Sequence, residues 1–326
     1  MAKVRKVAKI AADIKALRIQ GARRIAAAAL QGLVLAAQES RAKKKDEFYD
    51  DLLEAAHLLE ATRPTEPMMR NSLEETLRFV LAFIRTHPSS SVEELKALLL
   101  RHQQTLLNQM DASIDAIARI GAAEIPSGAY VLIHCHSTTL IRTLIKAKKM
   151  GKHLHVTCLE TRPLYQGRLS ARELCAAGID TTLAVDSAAA SLMSKMDLVL
   201  VGADAITAEG DLINKVGTSS LAQLAHAHSV RFLCAAEVFK FDPLTRLGRA
   251  EPIEQRDWKE VWGSGLYAQE KKTKNAKIAK PSKLKILNPA YDRTPARLIS
   301  AFITDEGLIP PAQLAIIAER RLSTTR

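Results

Sequence analysis

The sequence predicts an α/β protein in which an N-terminal helical domain, residues 1–125, is followed by a parallel-sheet domain over residues 126–326. Three observations carry this prediction. Up to about residue 123, apolar residues recur at helical spacing on alanine-rich stretches. Pro126-Ser127-Gly128 then interrupts the pattern. Beyond Ala129, short apolar runs alternate with amphipathic stretches, which is the signature of βαβ units in a doubly wound sheet.

In the helical part, Ala8, Ala11, Ala12 and Leu17 begin one apolar face, and Ile25 to Ala37 continue another. Gly21 lies between them, where glycine marks a close backbone approach or a break between two helices. Further helices are expected over Asp50–Ala61, Ser72–Thr86 and Val92–Ala122. Pro64 keeps Arg63 out of the helical region, so Thr62-Arg63-Pro64-Thr65 forms a loop. Taken alone, Arg63 reads as a solvated arginine rather than a phosphate clamp.

In the second part, strands are expected at Tyr130–Ile133, Leu154–Leu159, Thr181–Val185, Leu198–Val201 and Arg231–Ala236. The intervening helices fall at Thr138–Met150, Ser170–Ala177, Ser187–Lys195 and Gly217–His228. Asn214 to Thr218 reads as the opening of the last of these, Ile286 as the start of another strand, and Pro311–Leu322 as a closing helix. Right-handed crossovers bring the C-terminal ends of all the strands to one edge, where open α/β sheets bind ligands. That edge collects His134-Cys135-His136-Ser137, Glu160-Thr161-Arg162 with Gln166, Asp186-Ser187, Gly202-Ala203-Asp204, and Glu237 with Lys240.

Bulk properties narrow the chemistry. The chain has 326 residues and a net charge of +12, which favours an anionic substrate or partner. The longest apolar run, Ile25 to Ala37, is broken by Gln31 and Gly32 and falls short of the roughly 18 residues of a membrane span. No signal peptide is evident, and the four cysteines form no CxxC pair, so a cytoplasmic protein without a disulfide framework is expected. The lysine-rich stretch 263–285 reads as a mobile loop, and it lacks the interleaved aromatics of an RNA-contacting surface.

Cys135 precedes a helix start at Ser137-Thr138-Thr139, a location that lowers a thiol's pKa. A buried structural cysteine is the commoner fate on a strand, but the polar flanks favour the functional reading. His134 and His136 share a face of an extended segment, yet no third ligand stands at a zinc-like spacing, so no metal is expected. The helix starts after Ser137 and at Gly217-Thr218-Ser219 offer N–H groups to phosphate, with Lys215, Lys240, Arg162 and Arg63 as neutralising cations. There is no Walker A lysine and no GxGxxG. A thiol and a carboxylate, Cys135 and Asp204, on one rim suit proton transfer beside a carbonyl.

HCHS at 134–137, ETRPLYQG at 160–167, VDSAA at 185–189, GADAIT at 202–207, NKVGT at 214–218, KF at 240–241 and NPAYDRTP at 288–295 occur in this order. Together they resemble the archaeal ribose-1,5-bisphosphate isomerases. The wider family includes methylthioribose-1-phosphate isomerase and the regulatory α, β and δ subunits of translation initiation factor 2B. The resemblance covers residues from about 18 to 310. It implies a Rossmann-like C-terminal domain, a hexamer built as a trimer of dimers, and conversion of ribose 1,5-bisphosphate to ribulose 1,5-bisphosphate in AMP and nucleoside salvage. AMP would act as an allosteric activator, with no cofactor required. Cys135 and Asp204 would be the catalytic pair. Gln166, Asn214 and Lys215 would hold the sugar and its phosphates, with Arg63 and Gly21-Ala22 closing from the helical part. Gln20 stands where the family usually has arginine, which weakens the phosphate role of that turn. The family's regulatory subunits need the fold but not a thiol and carboxylate together.

Overall fold

The computed structural model describes residues 5–249, 252–262 and 280–323. Five helices come first: α1 (Arg5–Lys15), α2 (Ala22–Glu39), α3 (Lys45–Glu60), α4 (Pro67–Thr86) and α5 (Val92–Glu124). Gly21, at φ +86°, is the break between α1 and α2. The chain turns there through a conformation that only glycine adopts without strain. Ser91 and Glu94 close the start of α5 as a reciprocal capping box. Pro67 occupies the first turn of α4, where its missing N–H costs nothing. These helices share an aliphatic core running from Val7 to Met110.

The last turns of α5 belong to a different core. Ile117 and Ala122 pack under the sheet with Val131, Ile133, Leu200 and Ile303. A Cβ on Gly121 would lie 2.6 Å from Thr143 Cγ2, so glycine permits α5 to press against the helix that follows the first strand.

The main sheet contains β1 (Ala129–Ile133), β2 (Leu154–Leu159), β3 (Asp180–Ala184), β4 (Leu198–Val201), β7 (Arg231–Ala235), β9 (Ala301–Thr304) and β10 (Gly307–Ile309). Their order is β10-β9-β7-β4-β1-β2-β3, parallel throughout except for β10. Helices α6 (Thr138–Lys149), α7 (Gln166–Ala176), α8 (Ala189–Met193) and α9 (Thr218–Ala227) form the crossovers. The short helix α10 (Lys259–Trp262) and the closing helix α11 (Pro311–Ser323) complete the set. The central strands are buried on both faces: Val131 and Ile133 face one core, Leu132 and Val199 the other. That explains their continuous apolar sequences. The doubly wound fold is as expected, and its strand order reverses between β1 and β4, where such sheets bind ligands.

The second, smaller sheet was not foreseen. β5 (Ala205–Ile206), β6 (Leu212–Lys215) and β8 (Tyr291–Thr294) pair antiparallel in the order β5-β6-β8. Asn214 and Lys215 therefore lie on a strand rather than opening a helix, and α9 begins only at Thr218. The strand expected from Ile286 starts instead at Tyr291, where pairing with Lys215 becomes available. Residues 263–279 of the lysine-rich stretch lie outside the described residues.

Candidate active site

Cys135 sits just past β1 with φ +68°, a left-handed conformation rare for a side chain of this kind. Its neighbours hold it there. The Cys135 N–H donates to Thr161 Oγ1 at 2.9 Å, and its carbonyl accepts from Ser170 Oγ at 2.9 Å. Thr161, itself at φ +64°, is fixed in turn by Asp186. The Asp186 carboxylate accepts from the N–H groups of Thr161 (2.8 Å) and Arg162 (2.7 Å). A residue forced into sparsely populated backbone space by several hydrogen bonds is a common feature of functional sites.

The kink at Cys135 separates the two histidines, so they do not share a face as an extended segment would allow. His134 Nε2 lies 2.9 Å from the Val216 carbonyl, so that nitrogen carries the proton. Burial holds His134 below the usual imidazole range. His136 turns to Ser170 Oγ at 3.1 Å and to Glu173 at 3.8 Å. Among the described residues no group of three or more His, Cys, Asp or Glu is placed to hold a metal.

Asp204 follows β4 across the switch point. Its N–H donates to the Ile213 carbonyl at 3.0 Å, which ties it to the β5–β6 hairpin. The end of β4 lies close to the start of α6, because a Cβ on Gly202 would come within 2.8 Å of Ser137 Cβ. Burial raises the Asp204 carboxyl above its ordinary range, while Lys215, Lys240 and Arg63 oppose the rise. Burial also pushes the Cys135 thiol up, to about 11, with Lys215 opposing and Asp204 adding to it. The helix start after Ser137 therefore does not deliver a low-pKa thiol, because desolvation outweighs it. Cys135, Asp204 and Lys215 form one electrostatic unit.

The other expected residues fall into place unevenly. Ser137 caps α6 weakly, its Oγ 3.4 Å from the Leu140 nitrogen. Among the described residues the N–H groups of Thr138 and Thr139 have no acceptor. The start of α9 is different. Gly217 and Ser219 donate to the Asp292 carboxylate at 2.6 and 3.1 Å, so the anion site expected here is filled by the protein's own acid. Asn214 is buried and donates to Thr218 Oγ1 at 3.0 Å, while Lys215 Nζ stands 5.4 Å from the centre of the Tyr291 ring.

Lys240 is buried, and its ammonium lies 3.1 Å from Glu237, which also accepts from Thr139 Oγ1 at 3.0 Å. Burial lowers the Lys240 pKa, but Glu237 and Asp204 carry it above the usual lysine range. Arg162 donates to the Tyr165 hydroxyl at 2.7 Å. Gln166 opens α7, and its Oε1 is buried with no hydrogen-bond partner among the described residues. An orphaned amide oxygen at the rim fits a group waiting for a ligand's hydroxyl. Gly167 beside it cannot be replaced in kind: a Cβ there would lie 1.7 Å from the Leu159 carbonyl oxygen.

Arg63 is not solvated. It is 7% exposed and enters the site from the loop before α4. Its Nη2 lies 2.8 Å from the Tyr291 hydroxyl, 3.2 Å from Glu66 and 3.3 Å from Glu254. Pro64 forms the loop as expected, but its direction is inward, toward partners that lie far away in sequence. Glu66, Glu254 and Tyr291 were not singled out beforehand, although Glu66 adjoins the TRPT loop and Tyr291 lies within NPAYDRTP. Gly21 and Ala22 take no part in these contacts. Polar contacts around their turn stay within the helical part, with Gln20 donating to the Leu17 carbonyl and Arg23 of α2 pairing with Asp111 of α5.

Residues 18–311 match the sequence model of the Initiation factor 2 subunit family. The chain belongs to this family. Within reach of it is the ribose 1,5-bisphosphate isomerase of Thermococcus kodakarensis, 37% identical over 98% of this chain and 96% of the relative. The methylthioribose-1-phosphate isomerase of Pelotomaculum thermopropionicum is 40% identical over 93% of this chain and 82% of its own. Among solved structures, the Pyrococcus horikoshii translation initiation factor eIF-2B superposes with a TM-score of 0.75 at 25% identity, covering 95% of this chain and 98% of that one. This family therefore holds proteins named as isomerases and proteins named as translation factors on one fold. No described helix is long and apolar enough to cross a membrane.

Proposed function

We propose that this chain is an aldose–ketose isomerase that converts ribose 1,5-bisphosphate to ribulose 1,5-bisphosphate. The carrying observation is the pairing of Cys135 and Asp204 at adjoining strand ends, with Lys215 acting on both. A regulatory subunit has no need of such a pair, and relatives along nearly the whole chain bear the isomerase name.

The groups divide the chemistry by their proton affinities. Asp204, whose carboxyl burial raises above its ordinary range, gives its proton to the ring oxygen as the C1–O4 bond breaks. The cationic C1 acidifies the C2–H bond, and the Cys135 thiolate takes that proton to leave an enol phosphate. The O2 proton then passes to the Asp204 carboxylate while C1 takes the proton back from the Cys135 thiol. Both groups finish as they began, C1 is now a CH2, and C2 is a carbonyl. Lys215 and the free N–H groups of Thr138 and Thr139 beside Ser137 would take one phosphate. Arg63, Arg162 and Lys240 would balance the remaining charge, with Gln166 and Asn214 on the hydroxyls. By the same reading the protein is a cytoplasmic hexamer, a trimer of dimers, that serves nucleotide salvage and responds to AMP.

One observation favours a second substrate. Two carboxylates, Glu66 and Glu254, already share Arg63, which leaves less positive charge for a second phosphate at that end. Methylthioribose 1-phosphate carries a thioether there instead. The deciding measurement is turnover of both sugars by purified protein, with and without AMP. A higher kcat/KM on the bisphosphate supports the first substrate, and the reverse supports the second. No turnover of either, with binding to an initiation factor, would overturn the enzyme reading.

A further inference from the structure

Three acceptors converge on one nitrogen of Arg63. Tyr291, Glu66 and Glu254 all crowd its Nη2, which carries only two protons. The side chain is too buried to turn away, so a phosphate that takes Nη2 must displace one of them. Glu254 can leave: it is 30% exposed and has a second partner in Arg256 at 3.8 Å. Glu66 cannot. It is 2% exposed, stands at the N-cap of α4 and is followed directly by Pro67, with Pro64 closing the loop on the other side. Its Oε2 is buried and has no hydrogen-bond donor among the described residues. An ionised carboxylate with an unserved buried oxygen is costly, whereas a protonated one can donate from that oxygen.

We propose that Glu66 is a positioning residue that takes a proton from solvent when the phosphorylated substrate binds, releasing Arg63 to the phosphate and offering its own O–H as a further donor. The inference rests on the isomerase reading only for the identity of that phosphate. The charged and titratable groups acting on Glu66 come from every side. Arg63 lies on its own loop, Asp204 after β4, Lys240 on the turn after β7, Glu254 on the segment before α10, and Tyr291 on β8. Burial first, and then Asp204, raise the Glu66 carboxyl to about 8, against the opposing Arg63 and Lys240. The group is therefore poised to change its charge when a dianion arrives beside Arg63.

The test uses sulfate, a dianion that does not itself titrate near neutrality. Its binding to the full chain is followed calorimetrically at pH 8.5 in two buffers of different ionisation enthalpy. Wild type is expected to take up a substantial fraction of one proton, and both Glu66→Gln and Glu66→Ala are expected to take up almost none. With the sugar substrate, wild-type KM should rise up to about tenfold per pH unit above pH 8, the slope expected for one required proton. Glu66→Gln should flatten that slope, with the effect read in KM rather than in kcat. Proton uptake that persists undiminished in both variants, or is missing from wild type, would overturn the proposal. Failure of turnover alone would count against the isomerase reading and leave the sulfate result to judge Glu66.

Discussion

Asp292 closes the N-terminus of α9, whose N-cap is Gly217. Its two carboxylate oxygens accept from the N–H groups of Gly217 and Ser219, so a residue on β8 caps α9 from 75 positions away. The cap orients the NKVGT segment, because β6 and β8 are paired and the cap joins the end of one to the helix following the other. Burial raises the Asp292 carboxyl to about 6, against the two backbone donors. A carboxyl raised on folding binds protons more tightly in the folded state. Its contribution is therefore fully present below the unfolded pKa near 4 and is lost as pH rises through 6. Asp292→Asn keeps a capping oxygen without the charge. The stability of wild type relative to this variant should fall between pH 4 and pH 6, as read by denaturant unfolding. Asp292→Ala should be less stable than Asp292→Asn by about 1 kcal/mol at either pH, through loss of the cap.

The proposed proton-transfer pair makes a separate demand. Cys135→Ser and Asp204→Asn should each lower kcat by about 10²–10⁴ while the thermal midpoint stays close to wild type. Because the two act as one unit, the double variant should be little worse than the poorer single variant. Additive losses, or turnover that survives both substitutions, would remove Cys135 and Asp204 from the mechanism.

Much of this arrangement was legible in the sequence, and the part that was not shares one physical cause. The parallel strands and their crossovers followed from local periodicity, so Cys135 and Asp204 could be assigned to one rim before any contact was known. The β5-β6-β8 sheet could not be read in this way. Its strands are two to four residues long, and one of them pairs with a segment some 80 residues away. Arg63 shows the same limit in a single side chain. Pro64 announces the loop, but only the tertiary structure reveals that Glu66, Glu254 and Tyr291 surround its guanidinium. The Cys135 thiol was misjudged for a related reason: the helix start beside it is visible in the sequence, while the burial that outweighs it is not.

Glycines at the two motif positions should differ in their tolerance of a methyl group. At Gly167 the added carbon would meet the Leu159 carbonyl oxygen at 1.7 Å, which is backbone and cannot move aside without opening the α7–β2 junction. At Gly202 it would meet the Ser137 side chain at 2.8–2.9 Å. Gly167→Ala should therefore be the more destabilising, beyond the about 1–3 kcal/mol usual for overpacking, and Gly202→Ala should fall within that range. Gly202→Ala should also depress activity more than its stability loss accounts for, since Ser137 opens the proposed phosphate cradle. Unfolding midpoints and kcat/KM measured on the same preparations separate the two effects.

The pH–rate profile should report the pair as a unit. Productive enzyme carries a proton on Asp204 and none on Cys135, although the thiol is the weaker acid of the two. At each pH between their pKa values, a small constant fraction of the singly protonated pair has this arrangement, so the rate forms a plateau. Its acid limb should lie above the ordinary carboxylate range, because burial raises Asp204. Its alkaline limb should approach 11, the value to which burial pushes Cys135. Lys215 favours the charged form of both groups, so Lys215→Met should move both limbs upward. The rate of Cys135 alkylation by iodoacetamide checks the assignment without substrate. It should keep rising to about pH 11 in wild type and to higher pH in Lys215→Met, whereas a thiol that ionises near 8.5 would level off well before then.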